Sequence, residues 1–149
     1  TALKKLSFIL NVLLLLSFTN CKKKDNRNYS YWQVNQDKFS SNNVSVDIGK
    51  AISTVGINEI INSFHITFHF PTLPISGNFP LAGRYSHAHP DSVTLNFYYK
   101  QNFYVPKKSG LLIVNEKSGK SSFFLNSTCF ENYNDAKDTV LITGTFNEP

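Results

Sequence analysis

The sequence lacks the short motifs that mark most catalytic sites. It contains no G-x-S-x-G elbow, no H-E-x-x-H zinc motif, no P-loop and no G-x-G-x-x-G turn, each of which supports a defined chemistry. Acidic residues are also few, 10 in 149, and they are scattered along the chain. A fold can still bring distant carboxylates together into a glycosidase-like pair. We expect a non-catalytic role without a cofactor, with an enzyme as an alternative.

The sequence also lacks a hydrophobic run long enough to cross a membrane comfortably as a helix. The longest run, Leu6 to Phe18, follows Lys4 and Lys5 and falls short of the roughly 20 residues that a spanning helix needs. Its length and flanks are typical of a signal peptide. The run ends in "FTNC", which resembles the bacterial lipobox, where the cysteine is diacylated and becomes the first mature residue. The sequence therefore predicts a cleaved lipoprotein signal peptide over residues 1–20 and lipid attachment at Cys21.

Cysteine is scarce, with two residues in the chain. Once Cys21 is acylated, Cys129 has no partner for an internal disulfide. Cys129 lies in the strand-like stretch "FFLNSTCF", in phase with Phe123 and Leu125. We expect it to be a small buried core residue.

Net negative charge is absent, and the formal charge of +5 is confined to the N-terminal part. From Tyr31 onward, nine of the 15 Lys and Arg residues balance nine of the 10 Asp and Glu residues. Binding of nucleic acid needs a basic face on the domain itself, so we expect no nucleic-acid partner. We expect residues 21–30 to form a basic tether whose lysines either lie against anionic lipid headgroups or belong to a solvated spacer.

Period-2 alternation of apolar and polar residues dominates the rest of the chain and predicts strands. The strand-like stretches are "YWQVNQDKF", "NVSVDI", "SFHITFHF", "SVTLNFYYK", "GLLIVNE", "SSFFLNSTCF" and "TVLITGTFN". A short helix is predicted over residues 55–62, and a long Pro- and Gly-rich connection over residues 71–83. This pattern predicts one antiparallel β-sandwich domain over residues 31–149, with a calycin-like β-barrel as the alternative.

The opening "W-x-V-N-x-x-x-F" and the C-terminal run "SGLLIVNEKSG…SSFFLNSTCF…KDTVLITGTFN" resemble a group of small Bacteroidetes-type envelope lipoproteins of unknown function. Gln36 stands where that group usually has Gly, and residues 40–90 are not part of the likeness. The resemblance implies an all-β domain in the cell envelope. It implies no activity.

The residues after Cys21 indicate which membrane would hold the lipid anchor. Lys22 replaces the Asp that usually accompanies retention in the inner membrane. Surface-exposed lipoproteins of these bacteria tend to carry several acidic residues at this point, whereas "KKKDN" has one. We therefore expect an outer-membrane location, with the periplasmic face favoured over the cell surface.

Two histidines, His87 and His89, could place two imidazoles about 7 Å apart on one strand face, with Asp91 nearby. A third ligand from a neighbouring strand would complete a zinc site, which is the basis for a metal-dependent hydrolase as an alternative. "HAHPD" also suits a loop edge, where exposed histidines are ordinary. His65 and His69 would lie about 13 Å apart on a strand and could not share a metal.

Aromatic residues are abundant, with 13 Phe and 7 Tyr, and "NFYYKQNFYV" holds five of them. If Phe97 and Tyr99 face the core, Tyr98 faces outward beside Asn96 and Lys100. An exposed tyrosine among amides would suit sugar stacking, so Tyr98 is a candidate glycan platform. The simpler interpretation is that aromatic residues fill strands and cores.

Two short stretches, Asp91-Ser92-Val93 and Asp138-Thr139-Val140, match the D-[S/T]-aliphatic sequon that is O-glycosylated in exported Bacteroidetes proteins. The resemblance therefore implies Ser92 and Thr139 as modification sites. Asp, Ser and Thr are also common where strands begin.

These observations predict a lipid-anchored cell-envelope protein with a binding or structural role. Its partners would be the membrane, through the lipid anchor, and a glycan or another envelope protein. A carrier of a small apolar ligand, a glycan-binding module and a metal-dependent hydrolase are the alternatives.

Overall fold

The structure is a computed structural model that describes residues 29–50, 53–57, 61–83 and 91–149. The predicted signal peptide, the lipid attachment at Cys21, most of the tether, and His87 and His89 lie outside these residues. Eleven strands and no helix occur in the described ranges. The strands are β1 (Ser30–Val34), β2 (Asp37–Ser41), β3 (Ser45–Ile48), β4 (Ser53–Gly56), β5 (Ser63–Phe68), β6 (Gly77–Pro80), β7 (Val93–Tyr99), β8 (Asn102–Pro106), β9 (Leu111–Lys117), β10 (Lys120–Asn132) and β11 (Thr139–Asn147).

The strands form one antiparallel sheet in the order β2-β1-β11-β10-β8-β7-β5-β4-β3. The sheet branches at β10, which pairs with β9 through its first half and with β8 through its last three residues. Strand β6 pairs with the other side of β9, and one parallel bridge joins Leu81 to Val93. The long β10 therefore belongs to both arms of the sheet.

The sheet is curled into a half-barrel, as contacts between distant strands show. The ring centroids of Phe64 on β5 and Phe146 on β11 lie 4.5 Å apart, although these strands are four places apart in the sheet. In a flat sheet that separation would be about 19 Å. Trp32 on β1 likewise lies 5.4 Å from Phe64. On the concave side, β5 therefore packs against β1 and β11.

The core consists of the inward-facing residues of the alternating strands, which confirms the all-β prediction. On β5 and β7 every second residue is fully or almost fully buried. The largest fully buried side chains are Phe64, Phe68, Phe97, Phe123, Phe130, Phe146, Ile57, Ile66, Leu95, Leu112, Ile142 and Val34. Burial of such side chains stabilises a fold by about 1.5–3 kcal/mol each relative to exposure.

The sequence indicates the β1–β2 hairpin at Asn35 and the β9–β10 hairpin at Ser118-Gly119, but it gives no signal for the β7–β8 hairpin. Ser118 and Gly119 join β9 to β10 with φ of 58° and 78°, as a two-residue type I′ turn requires. Lys100 and Gln101 join β7 to β8 with φ of 49° and 67°, and do so without glycine. Asn35 opens the β1–β2 turn at φ 53°.

Two predictions about the middle of the chain were wrong. Val55 and Gly56, the start of the predicted helix over 55–62, belong to strand β4, because Val55 pairs with Ile66 and is completely buried. The predicted connection over 71–83 contains β6, whose Pro80 stands at the strand end, where a missing N–H is tolerated.

The prediction that Cys129 is a buried core residue was also wrong. The pairing of β10 with β11 shifts register between Leu125 and Thr128, so one extra residue enters β10 as a β-bulge. The bulge moves the inward phase from Cys129 to Phe130, which is fully buried. Cys129 is half-buried and lies opposite the exposed Leu141.

Candidate functional site

The outer face of β2, β1, β11 and β10 carries a hollow of about 380 Å³, which we call the outer groove. Its lining consists of outward-facing residues together with strand residues between them. The lining residues are Tyr31, Trp32, Gln33, Lys38, Phe39, Phe124, Leu125, Asn126, Thr143, Gly144 and Thr145. A concave surface with convergent polar groups is a natural place to look for a binding site.

One row of the outer groove carries two aromatic rings. Tyr31 pairs with Thr145, and Thr145 pairs with Phe124, so the two rings stand on either side of a threonine, about 10 Å apart. Tyr31 is 49% exposed, and Phe124 is half-buried. Alternation places both on the outer face, because their neighbours Trp32, Phe123 and Leu125 are buried.

The adjacent row of the outer groove is polar. Lys38 pairs with Gln33, and Gln33 pairs with Thr143. The Thr143 hydroxyl donates to the Leu125 carbonyl at 3.0 Å, and the Gln33 amide donates to the Asn35 carbonyl at 2.5 Å. An ammonium, an amide and a hydroxyl therefore lie side by side next to the aromatic row.

The bulge in β10 adds an amide to this polar row. It lies beside Thr143 and makes Asn126 and Ser127 the exposed extra segment of the strand. Bulges bend a strand and re-aim its side chains, and they are frequent next to functional sites. Asn126 lines the groove as a result.

Beneath the groove, β11 has no side chain at Gly144. A Cβ at this position would stand 2.6 Å from the Phe146 ring and 2.9 Å from the Trp32 Cβ. Only glycine therefore lets the Trp32 and Phe146 side chains close over β11 on the inner side. The outer groove therefore lies directly over packed core side chains.

A polar contact fixes the start of β2, which forms one wall of the groove. The Tyr99 hydroxyl donates to Asp37 Oδ2 at 2.7 Å, and Lys100 Nζ lies 3.1 Å from the same oxygen. The hydrogen bond from Tyr99, followed by the contact with Lys100, lowers the pKa of Asp37. The contacts with the Tyr99 hydroxyl and with Asp37 raise the pKa of Lys100. We call this contact the β2 latch (Asp37, Tyr99 and Lys100).

Tyr98, the predicted glycan platform, faces outward but is half-buried in a row of packed rings. It lies 6.4 Å from the His65 ring and 5.1 Å from Phe103, and Phe103 lies 5.9 Å from Tyr133. Burial lowers the pKa of His65. These four rings, the outer ring row, are tilted or edge-on to one another, so they do not form one flat stacking surface.

The remaining predicted site residues lie apart from the groove. Thr139 is exposed at the start of β11, and Ser92 is half-buried just before β7. Among the described residues, no three His, Cys, Asp or Glu side chains come close enough to hold a metal. His69 contacts the Thr94 hydroxyl at 3.2 Å, and the predicted candidates His87 and His89 are outside the described ranges.

A second hollow of about 370 Å³ lies between β2 and the residues Ile57, Ile61 and Asn62. Of the seven described residues that line it, four are apolar, namely Trp32, Phe39, Ile57 and Ile61. Trp32 and Phe39 stack at 5.6 Å on one side of it. We call it the edge hollow.

Sequence reasoning missed the outer groove, because none of its residues was predicted as a site residue. A signal was present, since Tyr31 and Phe124 fall in the outward phase of their strands, where large apolar residues are unexpected. No helix in the described residues is long and apolar enough to cross a membrane. No family model, no curated protein and no solved structure matches the chain.

Proposed function

We propose that this protein is a lipid-anchored envelope protein whose β-domain binds a saccharide in the outer groove. The observation that carries the proposal is the combination of two outward rings, Tyr31 and Phe124, with an adjacent row of amide and hydroxyl groups. The proposal keeps the predicted binding role and moves the glycan site from Tyr98 to this groove.

The chemistry of a pyranose matches this arrangement. A sugar ring has an apolar C–H face, which packs against aromatic rings, and a rim of hydroxyls, which need hydrogen-bond partners. Aromatic side chains supply contact area at fixed geometry, and Gln33, Asn126 and Thr143 offer donors and acceptors within the same groove. Ligand sites generally combine such a surface with a few orienting polar groups.

The filled core supports binding on the outside of the domain. Six phenylalanines of the concave side are almost completely buried and contact one another. Cores packed to this degree leave few voids larger than a water molecule. This packing favours the predicted sandwich over a calycin-like barrel with a ligand in its interior.

The location in the envelope rests on the N-terminal residues. The basic n-region, the short apolar run and Cys21 favour lipid attachment, and the residues after Cys21 favour the periplasmic face of the outer membrane. The domain would then meet the saccharides of the envelope from a membrane tether.

Binding can be measured through Trp32, the only tryptophan of the chain, whose strand neighbours Tyr31 and Gln33 line the outer groove. The purified protein is titrated with an oligosaccharide panel, and fluorescence is checked by calorimetry. We expect binding by the wild type and a loss of at least about tenfold in affinity, about 1.4 kcal/mol, in both Tyr31→Ala and Phe124→Ala.

Tyr133→Ala is the matched control, because Tyr133 is 48% exposed, like Tyr31, but lies outside the groove. It should bind as the wild type does. Loss of binding in Tyr98→Ala and Tyr133→Ala, with Tyr31→Ala unaffected, would assign the site to the outer ring row instead. Absence of binding to every saccharide would overturn the proposed function.

Lipid attachment is tested by growing cells with an alkyne-tagged fatty acid and detecting the tag on the protein. We expect the label on the wild type and on Cys129→Ser, and none on Cys21→Ser. Label on the Cys21→Ser protein would contradict the anchor. Protease added to intact cells should leave the domain uncut if it faces the periplasm.

The edge hollow supports a second candidate function, carriage of a small apolar ligand. Its walls of Trp32, Phe39 and Ile57 offer apolar contacts of the kind a fatty acyl chain needs. A fatty acid that raises the melting temperature of the wild type, but not of Ile57→Asn, would favour this function. No shift with fatty acids would exclude it.

A further inference from the structure

One charged side chain lines the outer groove among the described residues. Of the 11 described residues in its lining, Lys38 alone carries a charge, and none is acidic. Lys38 is exposed on β2, in the polar row beside Gln33. Among the described residues no carboxylate lies within ion-pair distance of its ammonium.

The nearest acidic residue along the chain is held away from Lys38. Asp37 lies opposite Val34, which is buried on the inner face, whereas Lys38 lies opposite the outward Gln33. The β2 latch holds the Asp37 carboxylate against Tyr99 and Lys100. The latch therefore pairs Asp37 with another lysine and leaves Lys38 without a carboxylate partner among the residues that the structure describes.

The positive charge is a local property of the groove. From Tyr31 onward the domain has equal numbers of basic and acidic residues, so no general basic surface draws anions to it. The polar row is about 7 Å from the aromatic row, two residues along a strand. The flexible stem of a lysine reaches across this distance.

We propose that the ligand of the outer groove is an anionic pyranose, with its ring against Tyr31 and Phe124 and its charged substituent at Lys38. This inference rests on the proposed function and names the class of saccharide. A lysine ammonium acts as a point charge and does not select among anions by geometry. A carboxylate and a sulfate ester are therefore both suitable substituents.

The test compares three oligosaccharides of equal length: one neutral, one containing hexuronate and one sulfated. At low salt, wild type should bind the two anionic ligands about two- to fivefold more tightly than the neutral one, as expected for an exposed ion pair. Raising the salt to about 0.5 M should remove most of this preference, because added ions screen exposed charges.

Lys38→Gln should bind all three ligands with the affinity that wild type shows for the neutral one. The matched control is Lys108→Gln, which removes an exposed lysine outside the groove and should keep the preference. If wild type binds the neutral ligand as tightly as the anionic ones, or if Lys38→Gln keeps the preference, the inference is wrong.

Failure of this inference can be told apart from failure of the proposed function. Equal binding of the three ligands, lost in Tyr31→Ala, would overturn the charge preference and retain the saccharide groove. Binding of none of the ligands by wild type would overturn both. Anionic binding that Tyr31→Ala leaves unchanged would show simple ion pairing and would also overturn both.

Discussion

At the scale of single residues, Gly144 has the strictest structural requirement. It pairs with Trp32 on one side and with Leu125 on the other, and its missing side chain is what allows Trp32 and Phe146 to pack over β11. The same residue separates the core from the outer groove. A change there should therefore affect both stability and binding.

Gly144→Ala should destabilise the fold by about 1–3 kcal/mol, because its Cβ would overlap a buried ring and the core has little room to relax. Chemical denaturation followed by Trp32 fluorescence measures the loss. Gly83→Ala is the control, since the nearest atom to its Cβ would be 3.5 Å away. A loss in Gly144→Ala no larger than in Gly83→Ala would show that the core adapts.

At the scale of elements, the sequence predicts strands well where alternation is strict. The patterns of β5, β7 and β11 are regular, and these strands appear where expected. β6 was missed because it has only four residues, begins with Gly and ends with Pro, so its local propensity does not favour a strand. The strand forms nevertheless, because it pairs with β9. The bulge was missed because "FFLNSTCF" alternates correctly with Cys129 inside.

The outer groove could be predicted only in part for the same reason. The outward phase of Tyr31 and Phe124 can be inferred from each strand alone. Their alignment across Thr145 depends on the register of three strands that are distant along the chain. Register is set by how the whole core packs, and no local pattern contains it.

The hairpin between β7 and β8 offers a test at this scale. Gln101 adopts φ 67° without being glycine, which costs a side-chain-bearing residue about 1 kcal/mol or more. Gln101→Gly should therefore raise the free energy of unfolding by about 1 kcal/mol, measured by denaturation. Asn102→Gly, one residue later inside β8, should lower it, because glycine weakens a strand. Destabilisation by Gln101→Gly would refute the account of the turn.

At the scale of the whole molecule, two aspartates tie distant strands together. Asp37 accepts from Tyr99, and Asp138 accepts from Tyr104 at 2.7 Å and from Asn132 at 2.9 Å. Hydrogen bonds from Asn132 and Tyr104 lower the pKa of Asp138. Burial and the contact with Asp138 raise the pKa of Tyr104. The stability of the fold therefore depends on pH at low pH through the two aspartates and at high pH through Tyr104.

The sign of the acid effect follows from the lowered pKa values. The unfolded chain binds protons on Asp37 and Asp138 more readily than the folded chain does. The stability that these two carboxylates contribute is therefore complete above their ordinary pKa of 3.8 and is lost as the pH falls through their lower pKa values in the folded state. We therefore expect the denaturant concentration at the unfolding midpoint to be lower at pH 3 than at pH 6. Asp138→Asn should weaken this dependence, and Asp47→Asn, on the edge strand β3, should not. An unchanged dependence in Asp138→Asn would contradict the link.

The bulge in β10 also has a consequence for the history of the gene. Leu125 and Phe130 both face inward although they are five positions apart, an odd offset that would put them on opposite faces of a regular strand, and the bulge absorbs the extra residue. A chain without Asn126 would have one residue fewer in β10, so the ladder would close into a regular strand with both side chains in the core. It would lose the amide at the rim of the groove. Insertion of a single codon for Asn126 into a regular strand is therefore enough to add an amide to the groove while both core side chains stay buried.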